Sequence, residues 1–261
     1  MIRIGTSGYS YDDWVGPFYP DGTDKREFLS YYAQHFDCVE VNYTFYRMPE
    51  AGTLQAMSAK TDPGFRFVIK ANREMTHERE KADATLFEQF IAALEPLREQ
   101  SKFGCVLAQF PYSFGLSQAN VDYLKSLRRL MHGVPVVVEF RNREWIRDET
   151  FVFLRRADFG FCCVDEPQFG SLMPPIVEAT SSIGYVRFHG RNYEKWWQHD
   201  EAWERYNYLY SREELAEWVP KVRSLAEQTD ETYVFFNNHY HAQAVQNAMD
   251  FAELLEEADR G

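Results

Sequence analysis

Charged residues interrupt apolar runs at several points of this 261-residue chain. Glu139 follows Pro135-Val136-Val137-Val138, and Lys70 follows Phe67-Val68-Ile69. Other polar residues end comparable runs: Glu40 with Asn42 and Thr44, Gln109, Arg141, Asp165, Arg187 with His189, and Asn237. A charge embedded in apolar surroundings is costly unless it is paired. Such side chains must therefore meet one another or meet a ligand. Glu40, Glu139 and Asp165 would balance Lys70, Arg141 and Arg187, three against three. Arginine forks match carboxylate and phosphate geometry. Lys70, Arg141, Arg187 and Arg191 are thus candidate anion holders, with Asn42, Gln109 and Asn237 orienting polar groups. Glu40, Glu139, Asp165 and His189 are the acid–base candidates, since that work needs groups that exchange protons. On this reading Arg187→Ala and Glu139→Gln abolish ligand binding and leave thermal stability nearly unchanged. A ring of purely structural ion pairs is the alternative.

Other chemistries find weaker signals. Glu40, Glu139, Asp165, His189 and His239 are metal-ligand types. However, His77-Glu78-Arg79-Glu80 lacks the second histidine of H-E-x-x-H, and the interleaved Arg and Lys would repel a divalent ion. No cofactor is expected, and a divalent metal is the minor alternative. Ser7 in Gly5-Thr6-Ser7-Gly8 is not in a G-x-S-x-G elbow and reads as a turn residue. Thr76-His77 reads as a loop-ordering pair. The segment Arg191-Asn192-Tyr193-Glu194-Lys195-Trp196-Trp197 interleaves cations with aromatics, which suits stacking on a base or sugar, with Trp196 a candidate contact. It equally suits a lid packed on a rim.

Eight short, β-rich runs must position these groups: Ile2–Gly5, Cys38–Val41, Phe65–Lys70, Cys105–Gln109, Val134–Glu139, Gly160–Asp165, Gly184–His189 and Thr232–Asn237. Their near-continuous apolarity is that of parallel strands covered on both faces. Amphipathic stretches alternate with them, among them one opened by the N-cap pattern at Asp24 and one by the capping box Ser211-Arg212-Glu213-Glu214. Eight such units in this length predict an α/β fold of the TIM type, a single (β/α)8 barrel spanning 1–261, with chemistry at the C-terminal strand ends. An open doubly wound sheet is the rival, but no G-x-G-x-x-G fingerprint follows the first strand. The stretch between the sixth and seventh strands, rich in Pro and Gly, is expected to be irregular. A long loop, Arg191 to Tyr210, follows the seventh strand, and long structured loops are commonly functional.

With 28 Lys+Arg against 40 Asp+Glu, the net charge of −12 argues against a surface that coats nucleic acid or anionic membrane. No apolar run reaches membrane-spanning length and no leader pattern is seen, so a cytoplasmic location and no membrane partner are expected. Cys38, Cys105, Cys162 and Cys163 fall in apolar runs and read as buried small hydrophobes. The oligomeric state is not legible.

Several separated motifs occur in a recognisable order. They include Gly5-Thr6-Ser7-Gly8-Tyr9-Ser10-Tyr11, Val39-Glu40-Val41-Asn42-Tyr43-Thr44-Phe45-Tyr46-Arg47 and Leu107-Ala108-Gln109-Phe110-Pro111. Val138-Glu139-Phe140-Arg141, Val164-Asp165-Glu166-Pro167, Tyr185-Val186-Arg187-Phe188-His189-Gly190-Arg191 and Phe236-Asn237-Asn238-His239-Tyr240 follow. Over nearly its whole length the chain resembles the YecE-like family, domain of unknown function 72. Tyr9 stands where that family often has Trp, and Tyr43 where a small polar residue is usual. The resemblance implies a TIM-type barrel and no particular reaction. That barrel is similar to metal-dependent apurinic endonucleases and sugar isomerases, an analogy at the level of fold; their metal-binding histidines are not recognisable here. The leading expectation is an enzyme (hydrolase, lyase or isomerase) for a small anionic substrate, phosphorylated or sugar-containing. A nucleic-acid-binding protein or nuclease, and a non-catalytic small-molecule sensor, are the alternatives.

Overall fold

The computed structural model describes residues 1–201 and 203–260. The eight runs are eight parallel strands: β1 (Ile2–Thr6), β2 (Cys38–Val41), β3 (Arg66–Lys70), β4 (Phe103–Gln109), β5 (Val136–Glu139), β6 (Phe159–Asp165), β7 (Ile183–Phe188) and β8 (Glu231–Phe236). No boundary departs from its expected run by more than two residues. Every residue of β2, β5 and β6 is buried, as continuous apolar strands between two layers require.

The strand order β1-β8-β7-β6-β5-β4-β3-β2 wraps the sheet into a nearly closed barrel. Its seam lies between β1 and β2, where one parallel bridge joins Ser7 to Glu40 and Gly8 N donates to Glu40 O at 2.8 Å. Gly5 makes that seam possible. A Cβ there would stand 2.4 Å from the carbonyl oxygen of Cys38, so any larger residue forces the strands apart.

The helices follow their local signals. Asp24 caps the turn Lys25–Glu27 by accepting from Arg26 N, and Ser211 forms the expected reciprocal capping box with Glu214. Helix Gln118–Leu130 turns Leu124 and Leu127 inward, and helix Gln243–Arg260 does so with Ala244, Ala248, Phe251 and Leu255. No helix stands between β6 and β7 among the described residues, matching the irregular connection expected there. Among the described residues, the long segment after β7 holds one short turn, Glu204–Tyr206, before the Ser211 cap. No helix among the described residues is long and apolar enough to cross a membrane.

All four cysteines are buried and unpaired, and burial pushes the Cys163 thiol up to about 12. Thiolate is the reactive form, so these groups are inert while the barrel is folded. Ellman's reagent should therefore titrate essentially no thiol in the native protein and all four in guanidinium. Fast native reaction of any one would contradict this packing.

Candidate functional site

Arg187 comes up from β7 into the barrel interior and is 1% exposed. Its Nη2 donates to Glu40 Oε1 and its Nη1 to Glu139 Oε2, both at 2.7 Å. Nη2 also lies 3.3 Å from Ser7 Oγ, and Tyr185 Oη donates to Glu40 Oε2 at 2.6 Å. Glu40, Glu139 and Arg187 thus tie β2, β5 and β7 together across the interior. Arg187 was expected to hold an anionic ligand. Its guanidinium is instead consumed by two carboxylates out of reach of solvent.

A second tier rests on the first. Arg141 Nε donates to Glu139 Oε1 at 2.5 Å, and its Nη1 to Glu166 Oε2 at 3.2 Å. Burial opposes charge on Glu139, but Arg141 and Arg187 together hold its carboxyl well below the usual range. Burial raises Glu166 to about 7, partly offset by Arg141. His189 Nε2 lies 3.2 Å from Glu139 Oε1 without the alignment of a hydrogen bond. Asn237 Nδ2 stands 3.2 Å from His189 Nδ1 and can donate to it, which leaves the ring proton on Nε2. Burial, then the Arg141 charge, depresses the His189 pKa, so the ring is neutral.

Above these tiers a cavity of about 290 Å³ opens at the C-terminal ends of the strands. Lys70, Gln109, Arg141 and Trp196, all expected at the mouth, line it together. So do Phe45, Leu172, Arg205 and Tyr206, for which no role was expected, and His77, expected only to order a loop. Lys70 Nζ sits 4.8 Å from the centre of the Phe45 ring. Burial, then the Arg187 charge, lowers its amine to about 8. Partial enclosure, then Lys70 and Arg141, brings His77 down to about 4. Gln109 Nε2 is bonded to Phe110 O, and the Arg205 guanidinium lies 5.4 Å from the Trp196 ring. His77 had a signal in Thr76-His77, whose hydroxyl and Nδ1 do pair at 2.9 Å, but it lines the cavity as well.

Three other expected residues, Asp165, Arg191 and Asn42, are not brought to the mouth. Asp165 points to the outer face of β6, where it accepts from Arg191 Nε and Nη2, Tyr210 Oη and Trp218 Nε1 at 2.7–2.9 Å. Arg191 spends its remaining donors on Glu214 and Glu217. Side chains alternate along a strand, so the inward carboxylate at this strand end is Glu166, one position on. The balance of three against three survives with Glu166 in Asp165's place. Asn42 was placed beside Glu40 on the assumption of a continuing strand. The backbone instead turns helical at Asn42, ahead of Tyr43–Tyr46, and Asn42 Oδ1 is buried without a partner. Lys195 of the lid is paired with Glu204 at 2.7 Å, and Trp196 packs inward at 2% exposure. Among the described residues, no three His, Cys, Asp or Glu side chains converge as a metal site.

A wider recess of about 530 Å³ lies at the opposite end of the barrel, by Arg128, His132, Asp158 and Ser181. Arg128 there is spent on the carbonyls of Val134 and Asp158. That end is the stability face of this architecture, so the C-terminal cavity is the functional candidate.

Comparison with known proteins is consistent along the whole chain. The model of a family described as "Protein of unknown function DUF72" matches residues 3–261. The UPF0759 protein YunF of Bacillus subtilis is 32% identical, over 98% of this chain and 95% of that protein. A DUF72 family protein of Thermotoga maritima has a crystal structure that superposes with a TM-score of 0.91 at 42% identity, covering 98% of this chain and 99% of that one. One from Enterococcus faecalis superposes at 0.88 with 28% identity, covering 98% and 96%.

Two outcomes follow from the buried tiers. Arg187→Met should destabilise the protein by about 3–5 kcal/mol, because it strands two buried carboxylates; urea unfolding that shows no loss would contradict the clasp. The second concerns acid. Unfolded His189 takes up a proton near pH 6.5 that the folded ring refuses, so its contribution to stability falls as pH drops through that value. Glu166, raised to about 7, acts in the opposite sense over the same range. His189→Gln should therefore remove one destabilising component between pH 7 and 5, read as a smaller acid loss of Tm than in the parent.

Proposed function

The chain belongs to the DUF72 family of proteins of unknown function, and from the geometry of its barrel mouth we propose that it is an enzyme for a small anionic molecule, phosphorylated or sugar-containing. One observation carries this reading. Lys70, Arg141 and Arg205 line the cavity, and no Asp or Glu lines it among the described residues, in a chain of net charge −12. A concave site of one sign focuses the local field and admits an anion that the outer surface repels. Arg141 is already held by Glu139 and Glu166 from beneath, and its Nη2 has no acceptor among the described residues. A preplaced guanidinium loses little freedom on binding. Phe45 and Tyr206 supply faces on which a sugar ring can rest.

The sensor reading draws on a different observation. Glu40, Glu139, Asp165 and His189, the expected acid–base groups, lie at 0% exposure, and the three carboxylates are spent on their neighbours. Catalysis then falls to groups that line the cavity, Lys70 first among them. The nucleic-acid reading draws less support, since Arg191 and Lys195 are paired within the chain.

Calorimetry with inorganic phosphate, ribose 5-phosphate and ribose tests the reading. The two phosphates should bind and ribose should not, with affinity falling as salt rises. Arg205→Ala should weaken phosphate about tenfold, the loss of one charge-assisted contact, without lowering Tm. Equal or absent binding of ribose and ribose 5-phosphate would overturn it. Retained affinity without turnover across a metabolite panel would favour the sensor.

A further inference from the structure

The chain has eight lysines, and their surroundings set one apart. Lys25, Lys81, Lys125 and Lys195 pair with carboxylates. Lys60, Lys102 and Lys221 donate to backbone carbonyls. Lys70 alone has neither among the described residues, and its Nζ faces the edge of the cavity beside the Phe45 ring. An ammonium group has three protons to place and accepts none. A half-buried amine with no acceptor is better accommodated neutral, with its lone pair free, which is the condition for a nucleophilic lysine.

We propose that Lys70 is a catalytic nucleophile that forms an imine with the carbonyl group of a phosphorylated or carboxylated aldehyde or ketone. This rests on the anion-binding reading above and narrows its substrate class, because Arg141 and Arg205 would hold the acidic group while the carbonyl meets Nζ. The Nζ lone pair adds to the carbonyl carbon, and the C=O π pair moves to oxygen, which receives a proton from nitrogen. The resulting carbinolamine hydroxyl takes one proton from a solvent water, which is left as hydroxide, and departs as water while the nitrogen lone pair closes the C=N bond to give the iminium. No oxidant or reductant is required. The iminium nitrogen then draws electrons from the neighbouring carbon, which suits a lyase or an isomerase. The charged and titratable groups facing the amine support this state: Arg187 and Arg141 oppose a further positive charge, against Glu40 and Glu139, while His77 beside them is neutral.

Reductive trapping decides the matter. The full-length protein is incubated with cyanoborohydride and either dihydroxyacetone phosphate or neutral dihydroxyacetone, then mapped by peptide mass spectrometry. Inorganic phosphate binding is measured in parallel. The expected result is one adduct per chain, confined to Lys70, with the phosphorylated probe trapped about tenfold faster, as one charge-assisted contact allows. The rate should rise as pH passes about 8, where the amine loses its proton. Lys70→Arg should give no adduct at an unchanged Tm. Adducts on Lys70 with no preference between probes, together with no phosphate binding, would uphold the nucleophile and overturn the anion site. Phosphate binding with no adduct, or with adducts spread over surface lysines, would overturn the nucleophile and leave the anion site standing. Absence of both would overturn both.

Discussion

Two carboxylates and one guanidinium, Glu40, Glu139 and Arg187, share the interior of the barrel with no access to water. Desolvation of three charges is severe, and geometry must compensate for it. Two aligned contacts of 2.7 Å, the Tyr185 hydroxyl on Glu40 and the Ser7 hydroxyl near Arg187 offset much of it, and Arg187 Nε is left buried without a partner. The group spans strands far apart in the chain, so it forms only when the barrel has nearly closed. Its position beside the seam, where Ser7 and Glu40 bridge β1 and β2, couples barrel closure to charge pairing.

The chemistry of the mouth follows from this clasp. Arg187 below and Arg141 above each take one oxygen of Glu139, and the two cations together keep it ionised. Arg141 in turn presents one free edge to the cavity. The charges therefore stack: carboxylates beneath, cations at the surface, neutral histidines beside them. In that setting Lys70 has no carboxylate in contact, and burial first, then the like charge of Arg187, lowers its amine where a surface lysine's would not be. The acidic exterior and the cationic recess differ in sign because carboxylates in the recess are turned downward and spent.

A separate buried cluster does a mechanical task. Asp165, on the outer face of β6, gathers Arg191, Tyr210 and Trp218, and so fixes the start and end of the segment that brings Trp196, Arg205 and Tyr206 over the mouth. The recess is thus walled by a loop whose anchors lie on the opposite face of the sheet.

The eight strands, their parallel arrangement, the irregular link before β7 and the long segment after it were all legible in the chain itself, because unbroken apolar runs and capping residues are local signals. So was the family to which the chain belongs, through motifs such as Glu139-Phe140-Arg141. The grouping of Lys70, Gln109, Arg141 and Trp196 at one mouth was legible too, since polar residues at strand ends share one rim of a barrel. Facing was not. In strands buried on both sides, composition does not distinguish the inner face from the outer, so Asp165 and Glu166 look equivalent until the barrel closes. The division of labour among charges was equally hidden: whether Arg187 meets a ligand or two carboxylates depends on distances between strands remote in the chain. His77, Arg205 and Tyr206 lie in loops whose paths are set by packing alone. Residue types and local periodicity determined which groups reach the barrel's end; only tertiary closure decided which of them neutralise one another and which are left facing solvent.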